Sequence, residues 1–243
     1  MSSNVIFIPQ EPIRKFCKSL ITSAALVAAT LASSSAIALE KGDWLIRGRL
    51  INIDPNVSSG EVTDMSGTPL APPSGIDVDS AVTLDIDFVY MFTSNIGMEI
   101  LLAIPATHDV SGTGNLAGLG KIGEVTVLPP ALIAQYYFMP NNNIRPYAGA
   151  GLGYIFFFDE STTSSLTNGL GVGSTGLDVD NTANFLIQAG VDFDINKNWF
   201  VNIDAKYFWI NTTATIQADG ADAAKVDFDL DPLVLGIGAG YRF

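Results

Sequence analysis

The stretch "VTLDIDFVYMF", residues 82–92, sets two carboxylates, Asp85 and Asp87, inside a run of large apolar side chains. Val82, Leu84, Ile86, Phe88, Tyr90 and Phe92 share one parity; Thr83, Asp85, Asp87, Val89 and Met91 share the other. Successive side chains of a strand point to opposite faces, so the segment reads as a β-strand with one strongly apolar face and one partly polar face. What the apolar face meets decides the fold.

The same alternation recurs in seven further segments. They are "WLIRGRLI" (44–51), "IGMEILLAI" (96–104), "ALIAQYYF" (131–138), "PYAGAGLGYIFFF" (146–158), "NFLIQAGVDF" (184–193), "WFVNIDAKYFW" (199–209) and "LVLGIGAGYRF" (233–243). The links alternate as well. "TSN", "MPNNNIR" and "INKN" are short, whereas residues 54–80, 107–124, 159–182 and 212–225 are long and rich in Gly, Ser, Thr and Asp. Eight strands with short and long links in turn predict an antiparallel outer-membrane β-barrel, with tight periplasmic turns and long outer loops. Trp44, Tyr90, Tyr136, Tyr207, Trp209 and Tyr241 fall near strand ends, where an aromatic girdle belongs. The apolar parity then faces lipid and the acids face the lumen. A soluble barrel would reverse the two faces. In hydrocarbon every backbone polar group must pair within the protein, which strands achieve only in a closed barrel.

Composition agrees with export. The 243 residues are 48% hydrophobic and 15% charged, with mean hydropathy +0.32, yet no run reaches the roughly 20 apolar residues of a spanning helix. Arg14, Lys15 and Lys18 precede "LITSAALVAATLA" (20–32), and Ala36-x-Ala38 closes the segment; residues 1–38 read as a signal peptide and 39–243 as one barrel domain. Its removal takes three basic residues and Glu11, leaving 9 basic and 24 acidic residues, a net charge of −15. That balance argues against nucleic acid as a partner. The single cysteine, Cys17, leaves with the signal, so neither a disulfide nor thiol chemistry is expected in the mature chain.

"GDWLIRGRL", "NIGMEILLAIPATHDV", "EVTVLPPALIAQYYF", "IRPYAGAGLGYIFFFD", "NKNWFVNIDAKYFWINTTA" and "LDPLVLGIGAGYRF" resemble the OmpW family of Gram-negative outer-membrane proteins over nearly all of the mature chain. The resemblance implies an eight-stranded barrel that admits small hydrophobic molecules across the outer leaflet. It also implies that a leucine and a tryptophan close the channel's lower end. Leu101 matches the leucine, but Lys206 stands at the tryptophan position, so an apolar floor is not expected here. Glu99 or Asp204 would be its ionic partner.

Several side-chain groups could carry function. Arg47, Arg49, Asp85, Asp87, Glu99, Gln135, Gln188, Asp192, Asn202, Asp204, Lys206 and Arg242 fall on the inward parity. Eight strands enclose a bore just wide enough for side chains to fill, and buried charges must be paired, so these residues read as a charge-paired plug rather than a general pore. An apolar set shares the same parity: Ile51, Ile53, Val89, Met91, Leu101, Ile133, Leu186 and Phe208. These either pack against one another or, with Lys206, line a pocket for a hydrophobic solute, and pattern alone leaves both open. Pro105, Pro129 and Pro130 interrupt strand segments, opening a lateral exit toward the bilayer or merely fraying the strand tops.

"HDVSG" (108–112) holds the only histidine beside an acid and a serine, but neighbouring residues of a strand face apart, so His108 reads as an exposed loop residue. The acids Asp159, Glu160, Asp178, Asp180, Asp219, Asp222, Asp227, Asp229 and Asp231 read as a solvated rim facing lipopolysaccharide; no calcium-loop spacing is present and no cofactor is expected. Tyr241 and Phe243 end the chain on the lipid face and read as the signal for the outer-membrane assembly machinery. The leading expectation is a non-enzymatic conduit for small hydrophobic solutes. The alternatives are a structural or loop-mediated interaction barrel and, less well supported, a lipid-modifying enzyme.

Overall fold

In a computed structural model of the chain, residues 38–243 are described; apart from Ala38, the expected signal segment lies outside them. Eight strands form the barrel: β1 (Trp44–Asp54), β2 (Ala81–Met91), β3 (Ile96–Ala103), β4 (Ala131–Tyr137), β5 (Ile144–Thr162), β6 (Thr182–Asp194), β7 (Trp199–Trp209) and β8 (Leu233–Arg242). Each pairs antiparallel with its successor, and β8 pairs back onto β1 through registers such as Leu50↔Ile237, closing the sheet. Closure leaves no strand edge for lipid to meet. No described helix is long and apolar enough to cross a membrane; the strands do the crossing.

The outward parity carries the apolar coat. Leu84, Ile100, Leu132, Ile187, Ile203 and Ile237 are all exposed. Aromatic side chains belt both ends. Trp44 packs against Tyr90, and Trp199 against Tyr241, with centroids 5.0 Å apart in each pair, at the short-turn end; Phe185 and Trp209, 5.4 Å apart, mark the other. Trp199 and Trp209 lie ten residues apart on β7. At about 3.3 Å per residue and a tilt of about 40° they are separated by roughly 25 Å, the height of an outer-membrane apolar band.

The long links are more ordered than their composition suggests. Ala106–Gly114 and Lys121–Leu128 form a hairpin, which joins Ser74–Val78 on one side and the upper part of β5 on the other. Asn211–Ala218 and Ala221–Asp229 form a second hairpin, flanked by Thr175–Val179 and by short pairings with Ser58–Ser59 and Thr63–Asp64. Residues 107–124 and 212–225 are therefore largely strand rather than loop. The reason lies in a sparse alternation: Ala106, Val110, Val125, Ala214, Ile216, Val226 and Phe228 are buried, so the two outer sheets close over the barrel mouth on apolar faces of their own.

Candidate functional site: an apolar cavity above a charged plug

The lumen is divided by chemistry along its length. At mid-height lies the plug. The Arg47 guanidinium donates to Glu99 Oε2 at 3.3 Å, to Asp192 Oδ2 at 3.1 Å and to the Tyr137 hydroxyl, and its carbon sits 4.8 Å from the Tyr147 ring centroid. Arg49 donates through Nε and Nη2 to both oxygens of Asp85, at 2.9 and 2.8 Å, and through Nη1 to Asp204 at 3.0 Å and Asn202 at 3.2 Å; it also pairs with Asp87. Glu99 Oε2 accepts from Gln135 and from Gln188 as well, and Asn202 ties Asp192 to the Tyr147 hydroxyl. Lys206 pairs with Asp204 and stands 4.0 Å from Asp85, not with Glu99. Arg47, Arg49, Asp85, Asp87, Glu99, Asp192, Asp204 and Lys206 are all buried.

β8 supplies space rather than charge. Its inward positions Gly236, Gly238 and Gly240 lie against Asp204, Arg49 and the Phe200 ring, where an added Cβ would overlap existing atoms. The register places Gly238 directly opposite Arg49, and Gly240 opposite Phe200. Gly190 likewise faces Tyr147 across the β5–β6 pair. A bore this narrow holds large side chains only where the neighbouring strand gives up its own.

Above the plug, toward the long-link end, lies a partly open apolar cavity. Ile51, Leu101, Phe208 and Val234 form its lower wall, and residues of the two outer sheets, among them Val110, Val125, Ile155 and Phe228, form its upper wall. Asp85, His108 and Lys206 are the only polar side chains among its lining residues. At one side the strand pairing of the wall is interrupted. The β3–β4 register runs to Leu101↔Ala131 and resumes only at Ala106↔Val127, across the segment holding Pro105, Pro129 and Pro130. Proline offers no N–H to a ladder, so Pro105, Pro129 and Pro130 donate no ladder bond in this interval. Ala103, Ile104 and Pro129 line the cavity at this gap, and Ile104 is also 56% exposed on the outer surface.

The expected residues divide among these places. Ile51, Leu101, Lys206 and Phe208 line the cavity; Ile133 and Leu186 are buried in the same apolar cluster without lining it. Val89 and Met91 do not join them: they lie on the far side of the plug, packed with Leu39, Leu45, Tyr137, Tyr147 and Phe200. β2 descends from the long-link end at Ala81 to the turn after Met91, so its last inward residues sit at the short-turn end. Arg242 also stands outside the plug's ion pairs, because β8 ends at the short-turn rim; its guanidinium donates to the carbonyls of Ala38, at 3.2 Å, and Lys197, at 2.7 Å. His108, expected on an exposed loop, is buried, because residues 106–114 are a strand whose inward parity includes Ala106, His108 and Val110. Its neighbour Asp109 faces outward and pairs with Lys121 at 2.8 Å. In the outer rim, Asp227 accepts from Thr213, Asp219 from the Gly173 and Ser174 amides, and Asp231 from the Ile210 amide.

Pattern reading passed over Tyr137, Tyr147 and Phe200, together with the Arg145–Asp194 pair, which is bidentate at the short-turn end. Parity would have found them: each lies two residues from an inward residue, as Tyr137 does from Gln135 and Asp194 from Asp192.

Comparison with known proteins places this architecture. The OmpW family's sequence model matches residues 40–243. Outer membrane protein W of Vibrio cholerae serotype O1 is 40% identical over 219 residues, covering 89% of this chain and 96% of that protein. The crystal structure of the outer membrane protein OprG from Pseudomonas aeruginosa superposes with a TM-score of 0.77 at 34% identity, covering 85% of this chain and 98% of that one. The dibenzothiophene metabolism operon protein PahQ of Pseudomonas aeruginosa is 28% identical over 204 residues, covering 84% of this chain and 90% of that protein.

Proposed function

The chain belongs to the OmpW family of outer-membrane barrels, and from that premise we propose that it conducts small hydrophobic molecules from the outer face into the bilayer. The observation that carries this reading is the apolar cavity whose wall includes the unpaired, proline-bearing interval beyond the β3–β4 register. A solute entering between the two outer sheets meets apolar side chains almost throughout. It is stopped below by a plug that offers an apolar solute only buried, mutually paired charge, and transfer into such a site is unfavourable. The open direction is sideways, past Ala103, Ile104 and Pro129, where protein gives way to lipid. The relation to a protein named for dibenzothiophene metabolism, a process that handles an apolar aromatic compound, agrees with such a cargo.

Resident signal cleavage, insertion through the C-terminal Tyr241 and Phe243, and contact with lipopolysaccharide complete the proposed setting. No catalytic step enters the mechanism. The test is transfer itself. Barrels reconstituted into vesicles should speed the entry of an apolar fluorescent dye into the bilayer. The combined Pro105→Ala, Pro129→Ala and Pro130→Ala variant, which restores three N–H donors to the ladder, should slow it. Dye entry no faster than in protein-free vesicles would leave a structural or interaction barrel as the better reading.

A further inference from the structure

Lys206 and His108 stand out because a purely apolar conduit has no use for them. Lys206 is 1% exposed, its ammonium has three N–H donors, and its ionic partners are Asp204 and, at 4.0 Å, Asp85. A third donor direction remains for the cavity it lines. His108 is buried at the cavity's upper part with its Nδ1 2.8 Å from the Asp79 carbonyl oxygen. A carbonyl only accepts, so Nδ1 carries the proton, and the neutral ring's Nε2 is left as an acceptor. Burial holds the imidazole below its ordinary value of 6.5 and so keeps it in that neutral form at neutral pH. One end of the cavity thus offers a donor and the other an acceptor, with apolar wall between.

Resting on the conduit reading, we propose that the preferred cargo is an apolar molecule bearing a neutral hydroxyl group, such as a phenol or alcohol, rather than a bare hydrocarbon or a carboxylate. A hydroxyl donates and accepts, so it satisfies either anchor. A hydrocarbon filling the cavity satisfies neither, and leaves the remaining Lys206 donor and the His108 Nε2 acceptor shielded from water and unused. A carboxylate would suit Lys206 alone, but it would enter beside Asp85, Asp87, Glu99, Asp192 and Asp204, whose five charges exceed those of Arg47, Arg49 and Lys206. Like charges in a poorly screened interior repel.

The test holds the apolar body fixed and changes one substituent. The full barrel in detergent is titrated calorimetrically with naphthalene, 2-naphthol and 2-naphthoate at pH 7.5. It is compared with His108→Phe and with Lys206→Met/Asp204→Asn, a double variant that removes an ion pair without changing net charge. Partitioning into detergent is the same for all proteins, so it cancels between them. Each variant should weaken 2-naphthol by about fivefold, the worth of one hydrogen bond, while naphthalene, relieved of an unused polar group, should bind no more weakly than to the wild type. 2-Naphthoate should bind the wild-type protein more weakly than 2-naphthol. Because His108 lies outside the plug, its variant reads the effect even if the double variant fails to fold. 2-Naphthol binding unmoved by His108→Phe and by the double variant would overturn the assignment while leaving the conduit intact. Tightest binding of 2-naphthoate would overturn it in favour of an anionic cargo. Binding of none of the three to the wild-type protein would overturn the conduit reading and this one with it.

Discussion

Replacing Arg49 by Met tests whether the plug is held by charge pairing. The guanidinium makes four hydrogen bonds of 2.8 to 3.2 Å to Asp85, Asp204 and Asn202, plus its ion pair with Asp87. Methionine fills a similar volume but removes all of them, leaving five plug carboxylates facing only Arg47 and Lys206. Stripping one partner from a buried pair costs about 3–5 kcal/mol, because the other charge stays desolvated. The variant should therefore lose about that much stability in urea unfolding from lipid vesicles, followed by the fluorescence of Trp44, Trp199 and Trp209. Adding Asp85→Asn removes one uncompensated charge, so the double variant should recover at least about 1 kcal/mol of the loss. A single-variant loss below about 1 kcal/mol, or a double variant no better than the single, would refute the pairing argument and point to a hydrated lumen.

Three further outcomes follow from the same geometry. Gly240→Val should cost about 1–3 kcal/mol through overlap with the Phe200 ring, and the double variant with Phe200→Ala should be less damaged than the two single losses together imply; strict additivity in the same unfolding assay would contradict the packing described. His108 is held below 6.5 by burial, so below that pH the unfolded chain takes up a proton that the folded one resists, and stability falls as pH falls. Hydrogen exchange of residues 106–114, corrected for intrinsic rates, should accelerate between pH 7.5 and 5.5, and His108→Gln should abolish the change. Deleting Phe243, which packs on Tyr241 at 4.8 Å and donates its amide to the Trp44 carbonyl, should lower the fraction of heat-modifiable barrel recovered in outer membranes; unchanged recovery would remove its assembly role.

The barrel was legible because its rule is local. One residue in two faces lipid, so Leu84 and Ile86 on one parity against Asp85 and Asp87 on the other already specify which side is the lumen. The same rule reached most of the plug. It said less about height, since parity places Val89 and Leu101 on the same inner face although the plug separates them; strand direction and register decide that. The outer sheets were harder still. Their apolar residues are small and spaced among Gly, Ser and Thr, and a pattern so weak becomes strand only when a hairpin partner supplies the buried face. His108 shows the consequence: once residues 106–114 are paired, a loop histidine becomes a cavity wall. The glycines of β8 were visible as a row, but their purpose depends on which bulky residue each one faces.

The most direct measurement is the binding of an environment-sensitive apolar probe to the detergent-refolded barrel, followed by fluorescence, in the wild-type protein and in Leu101→Glu. Leu101 lines the cavity just above the plug, so a glutamate there puts a charge in the floor of the apolar space. Saturable binding to the wild type that the variant loses, with its fold intact by heat-modifiability, is the predicted result. Absence of saturable binding, or binding indifferent to Leu101→Glu, would contradict a ligand-holding cavity in the barrel.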